Sequence, residues 1–365
     1  MAAGVIKSGL ATQLTAPVTE TAFGVVPAGL SSTTKFSAFK SETLELKKTT
    51  AQGIGLLAGK LHGQAARRVV TEWTAGGGVV MDLPARGLQQ WLQAMFSSYG
   101  QTPATLTEDG ATLAYSATHA PGPAAGNSFC LQKGVPAVDT GTVEPFTYVG
   151  CKISEWEIAV AKSEIAQLTV TIEARNELGG AMNSDPLNVS LPGLVTYVPP
   201  PAGGVFTFLG GSVFTGGTCS TTSGVTTVAS PVKAANIRAA TVKYSIPLDE
   251  TRFNMGNAGF KSEQVDNNLR VPSGSLTAEW LSSESRYNAF AADTPTTFQL
   301  NFIGPSIGSG SDFSTLSILI PDIFLDGETP KVGGPEVVQQ TLPWTGLDDG
   351  TNNVIQALYW TLDAA

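Results

Sequence analysis

Apolar and polar positions alternate with a period of two through much of this chain. Within 153–160, Trp156, Ile158 and Val160 alternate with Glu155, Glu157 and Ala159, and within 168–175, Leu168, Val170, Ile172 and Ala174 alternate with Thr169, Thr171, Glu173 and Arg175. Successive side chains of a strand point to opposite faces, so each segment predicts a strand with one dry and one wet face. Residues 241–248 repeat the pattern with Val242, Tyr244, Ile246 and Leu248, and 297–302 with Phe298, Leu300 and Phe302. Trp73, Trp156 and Trp280 fall in strand patterns and are expected in the core.

Helical spacing is rare. Its clearest instance follows Pro84, which suits a first helical turn, where Leu88, Trp91, Leu92, Met95 and Phe96 make one apolar stripe and Gln89, Gln90 and Gln93 are expected to face away. A strand near Leu44 to Lys48, a long loop from Thr49 to Ala66, a strand ending at Trp73, a break at Gly76 to Gly78 and this helix make one order of elements. A strand from Ala240 to Leu248, a loop from Asp249 to Asn268, a strand ending at Trp280 and a helix through 282–290 repeat it about half a chain later. Loops of that length inside a compact domain are unusual unless they are functional or disordered. The first carries Ile54, Leu56, Leu57 and Leu61 among glycines, and apolar side chains on a flexible loop want a partner surface.

Composition sharpens this picture. The 365 residues suffice for two domains at roughly 100–200 residues each, and 14% charged residues with 40 glycines and 22 prolines favour an all-β design. With 30 acidic against 21 basic residues the formal charge is −9, which argues against gripping a DNA duplex by phosphate neutralisation. It leaves room for a protein that surrounds DNA without holding it. Cys130, Cys151 and Cys219 show no CxxC spacing and read as buried small hydrophobes. The N-terminus has no sustained apolar run after Lys7, and no segment approaches the roughly 20 apolar residues of a membrane span, so no export signal and no membrane partner are expected.

Motifs for chemistry are sparse. His62 and His119 are too few for a three-histidine metal site, and neither a phosphate-cradling GxxxxGK[ST] nor an HExxH motif occurs. No catalytic, cofactor-binding or metal-ligating residue is expected. Glu155 with Glu157, Asp322 with Asp326 and Asp348 with Asp349 read as solvated faces rather than a glycosidase pair. The acceptor pattern at Asn188 to Ser190 reads as a chance match.

Three blocks carry a resemblance. Residues 36–96 run from Phe36-Ser-Ala-Phe-Lys through Ala51-Gln-Gly-Ile-Gly-Leu-Leu-Ala-Gly59 and Arg67-Arg-Val-Val-Thr-Glu-Trp73 to the helix ending at Phe96. Residues 143–177 hold Val-Glu-Pro-Phe-Thr-Tyr-Val-Gly-Cys-Lys-Ile-Ser-Glu-Trp and Leu-Thr-Val-Thr-Ile-Glu-Ala-Arg-Asn-Glu177. The C-terminal part holds Leu316-Ser-Ile-Leu-Ile-Pro-Asp-Ile-Phe-Leu325, Val332-Gly-Gly-Pro-Glu-Val-Val338 and Leu342-Pro-Trp-Thr-Gly-Leu-Asp-Asp349. In that order they resemble the tail tube proteins, or major tail proteins, of long-tailed siphovirus-type bacteriophages. The likeness is weakest between Leu178 and Lys233.

The resemblance implies a mainly β fold with two tandem tail-tube-type β-sandwich or barrel domains, each flanked by a short α-helix. Residues 1–35 would be an N-terminal arm, 36–180 the first domain, 181–233 a linker or decoration rich in glycine, serine, threonine and proline, and 234–365 the second domain. It implies a structural virion protein, assembled in the host cytoplasm, that catalyses nothing and polymerises as stacked rings into a hollow tube for delivery of double-stranded DNA. With six tube domains to a ring, three such chains would close it with pseudo-six-fold symmetry; a single tube domain per chain would require a hexamer. Tape-measure and tail-terminator or tip proteins would be further partners. Ile54, Leu56, Leu57 and Leu61 would reach the neighbouring ring, and Glu155, Glu157 and Glu173 would form an acidic lumen face. A β-sandwich adhesin or decoration protein and a β-rich carbohydrate-active enzyme are the alternatives.

Overall fold

The computed structural model describes residues 8–30, 35–98, 104–108, 112–179, 185–188, 190–281, 285–307 and 313–362. The fold is mainly β, with two α-helices, Gln89–Phe96 and Ser285–Ala291; the first three positions of the expected second helix, 282–284, lie outside the described residues. Eight strands form one antiparallel sheet in the order Glu45–Gln52, Arg68–Asp82, Gln167–Ala174, Val143–Ala161, Ile237–Ser245, Val271–Glu279, Gln339–Leu347 and Phe313–Leu325. Both halves of the chain use the same connectivity, in which the fourth strand in sequence inserts between the second and the third. Between the halves, Val143–Ala161 pairs directly with Ile237–Ser245, from Glu155 opposite Ser245 to Ala161 opposite Ala239.

One close approach is made twice. A Cβ on Gly77 would lie 2.3 Å from the Thr43 carbonyl oxygen, and one on Gly274 would lie 2.0 Å from the Thr241 carbonyl oxygen. Glycine is required at both places for the hairpin to close. The three glycines at 76–78 therefore do not break the strand as expected; Arg68–Asp82 runs through them. The two Glu-Trp strings also differ in place. Register sets Asp82 opposite Gln167 and Glu279 opposite Gln339, so Glu279 answers to Asp82 and not to Glu72. Trp156 is fully buried, whereas Trp73 is half-buried against Phe260 and Trp280, one residue past its strand, is 37% exposed and edge-on to Tyr287.

The first helix starts five residues after Pro84. Leu83 and Ala85 are taken up in backbone hydrogen bonds with Ala166, Gly204 and Phe206, which holds that stretch extended. The helix ends at Ser97, whose left-handed backbone (φ 51°) lets the next amides close on Ala94 and Gln93. Leu88, Trp91, Leu92, Met95 and Phe96 are all fully buried, each stabilising the fold by about 1.5–3 kcal/mol. Gln89 does not face away; it is buried, with its Oε1 3.2 Å from His119 Nε2.

This helix covers the junction between the halves. Phe96 lies 5.4 Å from Trp156 and 6.4 Å from Tyr244, residues paired across it, and Trp156 Nε1 donates to the Met95 carbonyl at 3.2 Å. One buried apolar cluster runs from Val79 and Trp91 to Phe298, Trp344 and Tyr359, so the two halves share a core. The N-terminal segment adds Gln13–Leu14 and Val18–Thr19 to Phe129–Pro136. Within 181–233, Gly211–Thr215 pairs with Thr296–Ser306, and Thr218–Thr222 with Val225–Ala229 forms a separate hairpin.

Candidate assembly surfaces

The Glu45–Gln52 and Arg68–Asp82 hairpin outruns its sheet. Gln167–Ala174 stops opposite Ala75, so from Thr74 outward the hairpin has no third strand beside it. The strand continues to Gln52 and a 3-10 turn occupies Ala65–Arg67, which shortens the expected loop to 53–64. At its tip Ile54, Leu56 and Leu61 are 93–100% exposed and Leu57 is 44% exposed. Between residues 45 and 72 the arm carries Lys47, Lys48, Lys60, Arg67 and Arg68 against Glu45 and Glu72, a basic excess on an acidic chain.

The second surface is the wet face of the eight-stranded sheet. Cross-strand register aligns Val80, Thr169, Glu157, Lys243, Ser273 and Thr345 in one row and Asp82, Gln167, Ala159, Thr241, Ser275 and Pro343 in another. Most of these side chains are short. Glu155, Glu157 and Glu173 all lie on this face, but Glu155 pairs with Lys243 at 2.7 Å and Glu173 with Lys261 at 2.8 Å, so two of the three charges are compensated.

The second long loop, 249–268, is docked on the first half of its own chain. Arg175 meets Asp185 through two contacts of 3.2 Å, and it also donates to the Lys261 carbonyl and to Asn257 Oδ1, with its guanidinium 5.6 Å from the Phe260 ring. Lys152 donates to Glu263 at 2.8 Å and to the Gln264 carbonyl at 2.7 Å. Burial pulls the Lys152 ammonium below its ordinary pKa. Arg175, Asp185, Lys152 and Lys261 are all buried, so every charge there depends on its partner.

Two buried polar groups were not legible as such. Ser98 Oγ lies 2.7 Å from His119 Nδ1, and the third member of the row is the Gln89 amide rather than a carboxylate. His119 is fully buried, and burial lowers its pKa to about 4, so it stays neutral as a staple between helix and strand. Glu20 accepts hydrogen bonds from Gly24 N, Gly150 N and Ser128 Oγ, yet burial raises its pKa to about 7. Cys130 and Cys151 are buried and Cys219 is half-buried, and burial pushes all three thiols up.

The Glu20 shift predicts a pH dependence. A carboxyl whose folded pKa lies above its unfolded value contributes stability below about 4.5 and loses it as pH rises through about 7. His119 acts oppositely, losing stability as pH falls from 6.5 through about 4. The two effects oppose each other between pH 4.5 and 6.5, so urea midpoints of the wild type should drop only between pH 6.5 and 8, by the equivalent of about 1 kcal/mol. Glu20→Gln should flatten that limb; an equal slope in the variant would assign it to another group.

Among the described residues no group of His, Cys, Asp and Glu is arranged to hold a metal, and no helix is long and apolar enough to cross a membrane. What the chain presents is a smooth sheet face, a projecting basic arm and an unpaired sheet edge. No curated protein matches it. A family model described as phage tail tube protein matches residues 14–346, nearly the whole length. With a match of that extent over a mainly β fold whose distinctive surfaces suit assembly, the chain belongs to the phage tail tube protein family, the structural proteins of the virion tail.

Proposed function

We propose that three copies of this chain close a ring with pseudo-six-fold symmetry and that such rings stack into the tube of a siphovirus-type tail. The observation that carries this reading is the junction inside the chain. Four strands of one half continue edge to edge into four of the other with the same connectivity, which is how neighbouring tube domains would extend one another's sheets around a ring. Residues 36–180 and 234–365 are then two tube domains, held together by their common core.

The wet face then lines the lumen. Its threonine, serine, glycine and alanine side chains offer phosphate no cationic hold, and Glu155, Glu157 and Glu173 keep the wall mildly repulsive beside Lys243 and Lys261. Double-stranded DNA passes without sequence-specific contact. The projecting arm meets the next ring through Ile54, Leu56, Leu57 and Leu61. Assembly in the host cytoplasm on a tape-measure protein, between tip and terminator proteins, completes the reading.

Native mass measurement of a single ring should return three chains, and electron microscopy of the purified protein should show stacked rings or hollow filaments. A six-chain ring would make the repeated connectivity a coincidence of β-rich sequence.

A further inference from the structure

The Glu45–Gln52 side of the sheet is a free edge, and one residue near it is already capped. Thr43 N–H donates inward to the Gly78 carbonyl at 2.9 Å, and Glu45 lies opposite Gly76, so Leu44 between them turns its N–H and C=O outward. The Glu42 carboxylate accepts from Leu44 N–H at 2.8 Å, and the Lys133 ammonium donates to the Leu44 carbonyl. Lys133 and Glu42 are paired at 3.2 Å, and both side chains are largely buried. In the second half the equivalent of Leu44 is Val242, opposite Ile158 in the intrachain seam, and the place of Glu42 is taken by Ala240. The cap occurs on the copy of this edge that has no strand beside it.

At the far side of the sheet, residues 326–328 run alongside 341–343. Asp326 N donates to the Pro343 carbonyl at 2.8 Å, and Gln340 Nε2 to the Glu328 carbonyl at 2.7 Å. Continuing the register of Leu325 opposite Trp344, Asp326 and Glu328 occupy the places that Glu155 and Glu157 hold at the intrachain seam.

We propose that Glu42 and Lys133 form a removable cap on the ring-closing edge, displaced when residues 326–329 of a second copy pair with Leu44 to Lys47 in the register of the intrachain seam. This rests on the ring reading above. Ser245 opposite Glu155 translates into Lys47 opposite Asp326, which joins opposite charges. Leu44 then faces Thr329, whose backbone groups take over from the two side chains. A bare edge strand pairs with whatever strand it meets, and charged groups folded onto it suppress this until the right partner arrives.

A Lys47→Cys, Asp326→Cys chain in a Cys219→Ser background tests the register. Within one chain these positions lie seven strand spacings of about 4.8 Å apart, far beyond the roughly 7 Å limit between bridged Cα atoms, so any disulfide joins two copies. Oxidised assemblies should run as covalent dimers and closed trimers, with about tenfold less product from Thr49→Cys with Asp326→Cys, shifted by two residues. Independently, the Glu42→Ala, Lys133→Met chain should polymerise several-fold faster than wild type at equal concentration, with unchanged ring mass. Wild-type rings without the Lys47 to Asp326 cross-link, or cap removal that leaves the rate unchanged or lowers it, overturn the proposal and leave the ring reading standing. Absence of wild-type rings overturns both.

Discussion

A chain lacking residues 52–61 is expected to fold as well as the intact protein and to form no tubes. The removed tip is exposed at Ile54, Leu56 and Leu61, so the isolated subunit gains little from it. Ordering residues 53–64 against a neighbour costs about 1–2 kcal/mol per residue of backbone entropy, while burying each large apolar side chain returns about 1.5–3 kcal/mol. The side chains offset only about half of the ordering cost, so one arm alone does not hold, and stacking depends on further contacts along the arm and on all the arms of a ring engaging together. Thermal melting should be unchanged within a degree or two, and micrographs should show rings that do not elongate. Amides of 53–64 should be protected from hydrogen exchange in tubes and unprotected in free chains. Filaments from the deleted chain, or equal protection in both states, would return this loop to its own subunit and leave ring stacking to other contacts.

Arg175→Met should be among the most destabilising single substitutions in the chain, at about 3–5 kcal/mol, because it leaves Asp185 charged and buried without its partner. Methionine also gives up the bonds to the Lys261 carbonyl and Asn257, so 249–268 should become open to proteases. Replacing both partners by apolar residues, as in Arg175→Met with Asp185→Leu, should cost clearly less than the single change, since no charge is then stranded. Urea unfolding of the variants against wild type decides the matter. A loss below about 1 kcal/mol in the single variant would mean that water reaches Asp185 and that the loop is held by Lys152 and Lys261 instead.

What the sequence made legible follows from periodicity. Alternation in 153–160 and 168–175 placed Trp156, Ile158, Leu168 and Val170 on the buried face, and the stripe from Leu88 to Phe96 marked the buried side of the helix. Leucines among glycines in the first loop marked an exposed apolar tip. Three features followed other rules. Gly76 to Gly78 read as a break because local preference disfavours glycine in strands, whereas the approach of the Thr43 carbonyl to Gly77 is set by a strand distant in sequence. Gln89 looked like a solvent residue until His119 supplied a polar partner from 30 positions away. The docking of 249–268 was hidden because its contacts join the Arg175 guanidinium to the Lys261 carbonyl and Lys152 to Glu263, 86 and 111 positions apart, and contacts so distant in sequence leave no local pattern. For the assembly surfaces, alternation puts Glu155, Glu157 and Glu173 on one face, but the lysine partners of Glu155 and Glu173 lie on a strand and a loop of the other half.

The shared core has a mechanical consequence. Phe96, Trp156 and Tyr244 interlock under the intrachain seam, so the two halves of a chain resist hinging against each other. Where a tube of such chains bends, the compliance has to lie elsewhere. In a ring of three chains that compliance would fall on the three contacts between chains and on the arms between rings, while the three seams within chains stay stiff. A tube built this way should give at three seams of each ring rather than six.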